Sequence, residues 1–270
     1  MPAQNLPGLI LDRANPLARG LVGWWPLNEG GGSGVADVTG TGKPSPFATG
    51  TNLPKWVGFV RGGSALEFDG VDDTVTPVSK YSFNIGAEDF GMSVWYRTTG
   101  VGTYIAMANY SAGANWWFGI QTGLITFSNN GPQIQTATTS NDGRWHHAVA
   151  TRASGVVSVY VDGALGVSGS LAGTTNPNGT FYLGAFVIPG SYPWPGGMAH
   201  ARFYSRALSA REVAQLYADP LAGALASVRA SRLIVPAVVS PPAAIAAPPT
   251  ADRLWNRGYV GRIFRRGEKG

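Results

Sequence analysis

The sequence predicts an all-β protein, a sandwich of short antiparallel strands, and three observations lead there. The 270 residues include 38 glycines and 19 prolines, a load that breaks helices and suits many strands joined by tight turns. Apolar and polar residues alternate over Ser64-Ala65-Leu66-Glu67-Phe68-Asp69, over Phe90, Met92, Val94 and Tyr96, and over Val157, Val159 and Val161. That is the period of strands with one face on a core. Asp162-Gly163 lies between two apolar runs, and a two-residue hairpin turn needs residues that tolerate positive φ at both positions.

The elements follow in chain order. Residues 1–20 read as an N-terminal arm and residues 21–220 as the body. From Leu21 to Ser205 strand follows turn, with Thr122-Gly123 and Asn129-Asn130-Gly131 as further punctuation. One helix is expected, over 209–218. Ser209-Ala210-Arg211-Glu212 forms a capping box, Val213, Leu216 and Tyr217 make a stripe at helical spacing, and Asp219-Pro220 stops the ladder. This helix is expected to pack on the sandwich edge as a lid. Residues 221–270 change character: Pro236, Pro241, Pro242, Pro248 and Pro249 stiffen a linker, and Trp255, Arg257, Tyr259, Arg262, Phe264, Arg265 and Arg266 mix rings with cations.

Bulk properties remove several function classes. With no cysteine, neither disulfides nor a thiolate metal site can form. The net charge of +5 is unevenly placed. Through Pro220 there are 12 basic and 13 acidic residues, and from Leu221 onward 8 basic and 2 acidic. The body therefore lacks the basic face of a nucleic-acid binder. The start of the chain lacks the pattern of a signal peptide, and no stretch is apolar enough to span a membrane. These features imply a protein made in the cytoplasm, without a membrane or nucleic-acid partner.

Five phrases, in order, carry a family resemblance. They are Gly20-Leu21-Val22-Gly23-Trp24-Trp25-Pro26-Leu27-Asn28-Glu29-Gly30, Phe68-Asp69-Gly70-Val71-Asp72-Asp73, Trp145-His146-His147, Val159-Tyr160-Val161-Asp162-Gly163, and Ala201-Arg202-Phe203-Tyr204-Ser205-Arg206-Ala207-Leu208-Ser209. Together they resemble the laminin G-like, concanavalin A-like lectin/glucanase superfamily, with Thr74 where an aromatic is usual. The resemblance implies a two-sheet antiparallel jelly roll of about six or seven strands per sheet. Asn15-Pro16-Leu17-Ala18-Arg19-Gly20, together with the arginine-rich apolar tail, is also similar to forms encoded by bacteriophages and prophages. That likeness implies a virion protein with the jelly roll displayed at the surface and the tail attached to the particle.

Three groups of residues are candidate sites. Asp69, Asp72 and Asp73 surround a glycine turn, where they could converge on calcium or simply accept backbone N–H bonds. The turn reading is the one the sequence favours, so the expected cofactor is none, with Ca2+ as the alternative. His146 and His147 are consecutive in a strand, point to opposite faces and cannot share a metal. Trp116, Trp117, Tyr192 and Trp194 are candidate contacts for a glycan or a protein partner. The tail residues Trp255 to Arg266 suit docking on an acidic protein surface better than stacking on bases.

Catalysis is not expected. The glutamates are scattered along the chain, and no Ser-His-Asp arrangement or phosphate-cradling loop is visible. Two function classes remain. One is a phage structural protein, such as a capsid-decoration component bound to capsid or other virion proteins through its tail. The other is a carbohydrate-binding module or adhesin. Either is compatible with a homo-oligomer.

Overall fold

The computed structural model describes residues 9–40, 45–47, 53–76, 85–111, 114–171, 179–186 and 191–225. The linker prolines and the tail residues Trp255, Arg257, Tyr259, Arg262, Phe264, Arg265 and Arg266 lie outside the described residues. The strands are β1 (Leu21–Trp25), β2 (Gly34–Val35), β3 (Ser45–Pro46), β4 (Lys55–Gly58), β5 (Ser64–Asp69), β6 (Phe90–Arg97), β7 (Thr103–Ser111), β8 (Ala114–Gln121), β9 (Leu124–Asn129), β10 (Gln133–Thr139), β11 (His146–Ala153), β12 (Val156–Val161), β13 (Ala164–Ser170), β14 (Thr180–Leu183) and β15 (Pro195–Tyr204). Helix α1 spans Ala210–Ala218.

Two antiparallel sheets face each other, as the sequence predicts. The larger has eight strands in the order β13-β12-β11-β6-β15-β5-β4, with β1 paired to β15 beside β5. The long strand β15 serves two neighbours on one edge. Its first half pairs Met198 with Leu66 of β5, and its second half pairs Tyr204 with Leu21 of β1. The second sheet runs β10-β9-β8-β7-β14. Asp162 and Gly163 both have positive φ, 51° and 82°, and they turn β12 into β13 as their residue types require.

The alternation read from sequence sorts side chains between layers. Leu66, Phe68, Met92, Val94, Tyr96, Ala148 and Val159 point inward with Trp25, Trp116, Phe118, Phe127 and Phe203. Trp25 stacks on Phe181 at 5.3 Å and Trp116 on Phe203 at 5.8 Å. Each such ring taken out of water contributes roughly 2–3 kcal/mol.

The eight-stranded sheet is covered on its outer face as well. Val213 and Leu216 of α1 pack with Leu17, Val149, Tyr204, Leu208 and Ala222, and Tyr217 stacks on Trp95 at 5.6 Å. Strands β6 and β15, buried on both faces, are therefore almost wholly inaccessible. The capping box at Ser209 and Glu212 forms as the sequence predicts. Arg206 then grips Glu212 through both terminal guanidinium nitrogens, Nη2 at 2.7 Å and Nη1 at 3.0 Å.

The two ends of the described body meet on this same outer face. Leu11 bridges Ala224, Asp12 N–H donates to Gly223 O, and Leu225 N–H donates to Ile10 O. Leu17, assigned from sequence to the arm, is 1% exposed, and Leu221, Ala222 and Ala224, assigned to the tail, are buried. Those residues pack with the jelly roll because Arg202, itself buried, donates to Pro220 O and Ala222 O.

Candidate functional site

The outer face of the five-stranded sheet holds a groove of about 450 Å3, lined by Thr103, Ile105, Asn115, Trp117, Gln121, Ser128, Asn130, Gly131, Gln133, Phe186 and Tyr192. Its size lies within the range of small-molecule sites, about 300–1,000 Å3. Pleating builds it. On β8, Trp116, Phe118 and Ile120 enter the core, so Asn115, Trp117 and Gln121 must face outward. Trp117 lies opposite Ser128 of β9, and Ser128 lies opposite Gln133 of β10. These three residues thus form one cross-strand row. Ile105, Ala108 and Phe186 pack around the Trp117 side chain, which is left 8% exposed at the floor of the groove.

One wall comes from the chain after β14. Phe186 N–H donates to Ser191 O, and Ile105 N–H donates to Tyr192 O. Those two bonds seat Tyr192 over β7, where the residue is 52% exposed. Phe186 meets Tyr192 edge-on at 6.2 Å and Tyr110 at 5.2 Å. The opposite rim is polar, where Asn130 N–H donates to Asn115 O and Gln135 donates to Gln121. An aromatic floor with amide and hydroxyl groups around it can stack on the apolar face of a ring and bond its hydroxyls.

Of the four aromatics singled out in the sequence, Trp117 and Tyr192 line this groove. Trp116 and Trp194 do not, and the contact expected of them is corrected. Both are essentially inaccessible. Trp116 points between the sheets by the same alternation that turns Trp117 outward. Trp194 N–H donates to Gly184 O, and its ring meets Tyr96 edge-on at 5.7 Å inside the core. Sequence reasoning did not find Asn115, Gln121, Gln133 or Phe186. A signal was available in the outward positions of β8 and β10, once their register is known.

A second pocket, about 410 Å3, lies between Glu67, Asp69, Arg97, Thr98, Thr99 and Pro195. Glu67 and Asp69 alternate on β5, a carboxylate pair overlooked in the sequence. Neither is placed as a free acid or base. Glu67 pairs with Arg97 at 2.7 Å, and Asp69 Oδ1 accepts the Val71 and Asp72 amides at 2.8 and 3.4 Å.

The acidic turn has both features weighed from sequence. Asp73 Oδ2 accepts the Asp69 amide at 2.8 Å, so backbone bonding is real. Yet Asp69, Asp72 and Asp73 each bring one oxygen within 4.8 Å of the others, and Asp72 Oδ1 and Asp73 Oδ1 are buried without a hydrogen-bond partner. Burial, with the Asp69 and Asp72 carboxylates beside it, pushes the Asp73 carboxyl up to about 6. Three oxygens fit part of a calcium shell, which takes six to eight.

The histidines separate as strand geometry requires. His146 is held between Asp162 and Asp142, at 2.7 and 2.9 Å. His147 is buried against Trp95 and Tyr217. Among the described residues, no histidine joins the acidic turn in a metal-binding group.

Comparison with known proteins agrees with this architecture. A family model described as the concanavalin A-like lectin/glucanases superfamily, Laminin_G_3, matches residues 68–214. No curated protein matches in sequence. Among solved structures, Domain 4 of AbnA, a GH43 extracellular arabinanase from Geobacillus stearothermophilus, in complex with arabinotriose, superposes with a TM-score of 0.59 at 18% identity, over 73% of this chain and 98% of that one. The binding domain of Paraclostridial Mosquitocidal Protein 1 gives 0.57 at 18% identity, over 73% and 52%. The binding domain of Botulinum Neurotoxin DC in complex with SialylT gives 0.56 at 13% identity, over 75% and 51%. The chain thus spans about half the length of the toxin domains, and likeness at these identities establishes the fold. With its family model matched over more than half of its length, the chain belongs to the concanavalin A-like lectin/glucanase superfamily.

Proposed function

We propose that the protein binds carbohydrate, without catalysing a reaction, in the groove over Trp117. The observation that carries this reading is the join of an aromatic floor (Trp117, Phe186, Tyr192) to a rim of Asn115, Gln121, Asn130 and Gln133 within one groove. Rings stack on the C–H face of a sugar, and amides bond its hydroxyls in pairs. The arabinanase domain bound to arabinotriose and the neurotoxin domain bound to SialylT support the reading as relatives in fold. The non-catalytic part rests on the engagement of Glu67 by Arg97 and of Asp69 by its own turn. A glycan array probed with the full chain tests it. Wild type is expected to retain a set of saccharides that both Trp117→Ala and Tyr192→Ala lose.

A second reading concerns where the domain works. Residues Ile10–Asp12 and Gly223–Leu225 pair on the outer face of the eight-stranded sheet, and the groove opens on the outer face of the other sheet. Attachment through the flanking segments would leave the groove facing outward, as a virion-surface or capsid-decoration role on a phage particle requires. Docking would use Trp255, Tyr259 and Phe264 as anchors, with Arg257, Arg262, Arg265 and Arg266 pairing to carboxylates of a virion protein. Purified particles carrying stoichiometric copies of the chain are the expected result, and particles without it would remove this role.

The acidic turn enters as a cation seat. The partnerless oxygens of Asp72 and Asp73 support calcium there, with backbone carbonyls or water completing the shell.

A further inference from the structure

The strands of the five-stranded sheet carry no charged residue. No Asp, Glu, Lys, Arg or His occurs from Thr98 through Asn141 or from Gly163 through Ala199. Those two stretches contain every strand of the five-stranded sheet. The eight-stranded sheet, by contrast, carries Glu67, Arg97, Arg152 and Arg202. A carboxylate entering the groove over Trp117 would shed water and meet no cation among the described residues that line it, an uncompensated cost. A hydroxyl entering it exchanges one neutral hydrogen bond for another.

The polar rim also has a fixed sense. Gln135 Nε2 donates to Gln121 Oε1 at 2.8 Å and to Thr126 Oγ1 at 3.0 Å. Thr126 passes its own proton to Leu124 O at 3.1 Å. The bond from Gln135 takes one of the two lone pairs of Gln121 Oε1 and fixes the amide's sense, with its NH2 as the donating end.

We propose that this groove selects uncharged saccharides, with Gln121 donating to a ligand oxygen and Gln135 acting as the positioning residue that fixes the Gln121 amide. The proposal rests on the glycan reading above and adds its ligand class and hydrogen-bond polarity. Binding is consequently indifferent to ionic strength, because no ion pair forms. Reversing the relay should weaken it: Gln135→Glu places an acceptor where Gln121 Oε1 needs a donor, so the Gln121 amide turns its oxygen toward the ligand.

The test uses the full chain with maltotriose, cellotriose and triacetylchitotriose against sialyllactose and trigalacturonate, within a wider array of neutral and acidic glycans. Neutral members alone should bind, equally at low and high salt, and Trp117→Ala and Tyr192→Ala should each abolish that binding. Gln135→Glu should cost about tenfold in affinity, the value of one hydrogen bond. It should cost nothing further in a Gln121→Ala background, and its loss should be reversed on acidification as the introduced carboxyl regains a proton. An equal loss in both backgrounds, with no recovery at acid pH, overturns the relay. If an acidic glycan binds and Trp117→Ala abolishes it, the groove is a glycan site and the neutral-ligand inference alone fails. If no array glycan binds, or binding survives both aromatic substitutions, the glycan reading itself fails and removes the inference with it.

Discussion

His146 and His147 are consecutive on β11 and have opposite proton preferences. Hydrogen bonds to Asp162 and Asp142 raise the first above its ordinary value. Burial lowers the second to about 3, with Arg202 adding to the effect, and neither of its ring nitrogens has a hydrogen-bond partner. The strand places one ring at a loop edge and the other beneath α1.

The sign of each contribution to stability follows. His146, raised on folding, stabilises the protein below about pH 6.5, and that contribution is lost as pH rises through its folded value. His147, lowered on folding, costs nothing above about pH 6.5. Between there and about pH 3 the unfolded chain takes a proton that the folded chain refuses. Stability then falls by about 1.4 kcal/mol per pH unit from this group. His147→Leu is expected to flatten the melting temperature between pH 6 and 4, whereas His146→Ala should destabilise at pH 5.5 and change little at pH 9. Side-chain NMR titration should show one histidine titrating above 6.5 and one still neutral at pH 5. Two ordinary titrations would contradict the geometry.

The Arg206–Glu212 grip and the Ser209 cap act on one helix end. Ser209→Ala should cost about 1 kcal/mol. Glu212→Ala should cost more, roughly 2 kcal/mol, because it removes the cap acceptor and leaves Arg206 without its bidentate partner. Urea denaturation of the two variants measures the difference, and equal costs would mean that Arg206 contributes nothing.

Two truncations separate body from tail. Ending the chain after Leu225 keeps the Leu11–Ala224 bridge and is expected to leave cooperative melting intact. Ending it after Pro220 removes buried Leu221, Ala222 and Ala224 and should lower Tm on the order of 5–10 °C. Calorimetry reads both. On assembled particles, the first truncation should be missing if the segment it removes is the anchor, and normal incorporation would place the attachment surface on the jelly roll.

The acidic turn gives a metal-dependent prediction. Because the Asp73 carboxyl is raised to about 6, its contribution is present below about pH 3.8 and is lost as pH rises through 6. A cation offsets that loss where all three aspartates are ionised. Adding calcium at pH 7.5 should raise Tm and chelation should lower it, with Asp73→Asn abolishing the response. A chelator without effect on wild type would leave the turn held by its backbone hydrogen bonds alone.

The sheets, the Asp162-Gly163 hairpin and α1 were legible in the sequence because each depends on local chemistry: period, positive φ and a capping box. The groove was only half legible. Strand alternation says that Trp116 and Trp117 face opposite ways, yet choosing the outward one requires the pairing of β8 with β7 and β9, which is a long-range fact. Trp194 looked like a loop aromatic because prolines flank it, and its burial depends on Gly184, ten residues earlier. The amides of the rim carried no signal by themselves, since Asn and Gln are ordinary on exposed strands. The pocket between Glu67 and Arg97 was missed because its partners are 30 residues apart.

If ligand binds on the outer face of the five-stranded sheet, backbone and indole chemical-shift mapping of the chain with a neutral oligosaccharide will show it there. Shifts should concentrate at Asn115, the Trp117 indole N–H, Gln121, Asn130, Gln133 and Tyr192, and spare β5, β6 and α1. Shifts centred instead on Glu67, Asp69 and Arg97, or on the Asp69–Asp73 turn, would contradict it.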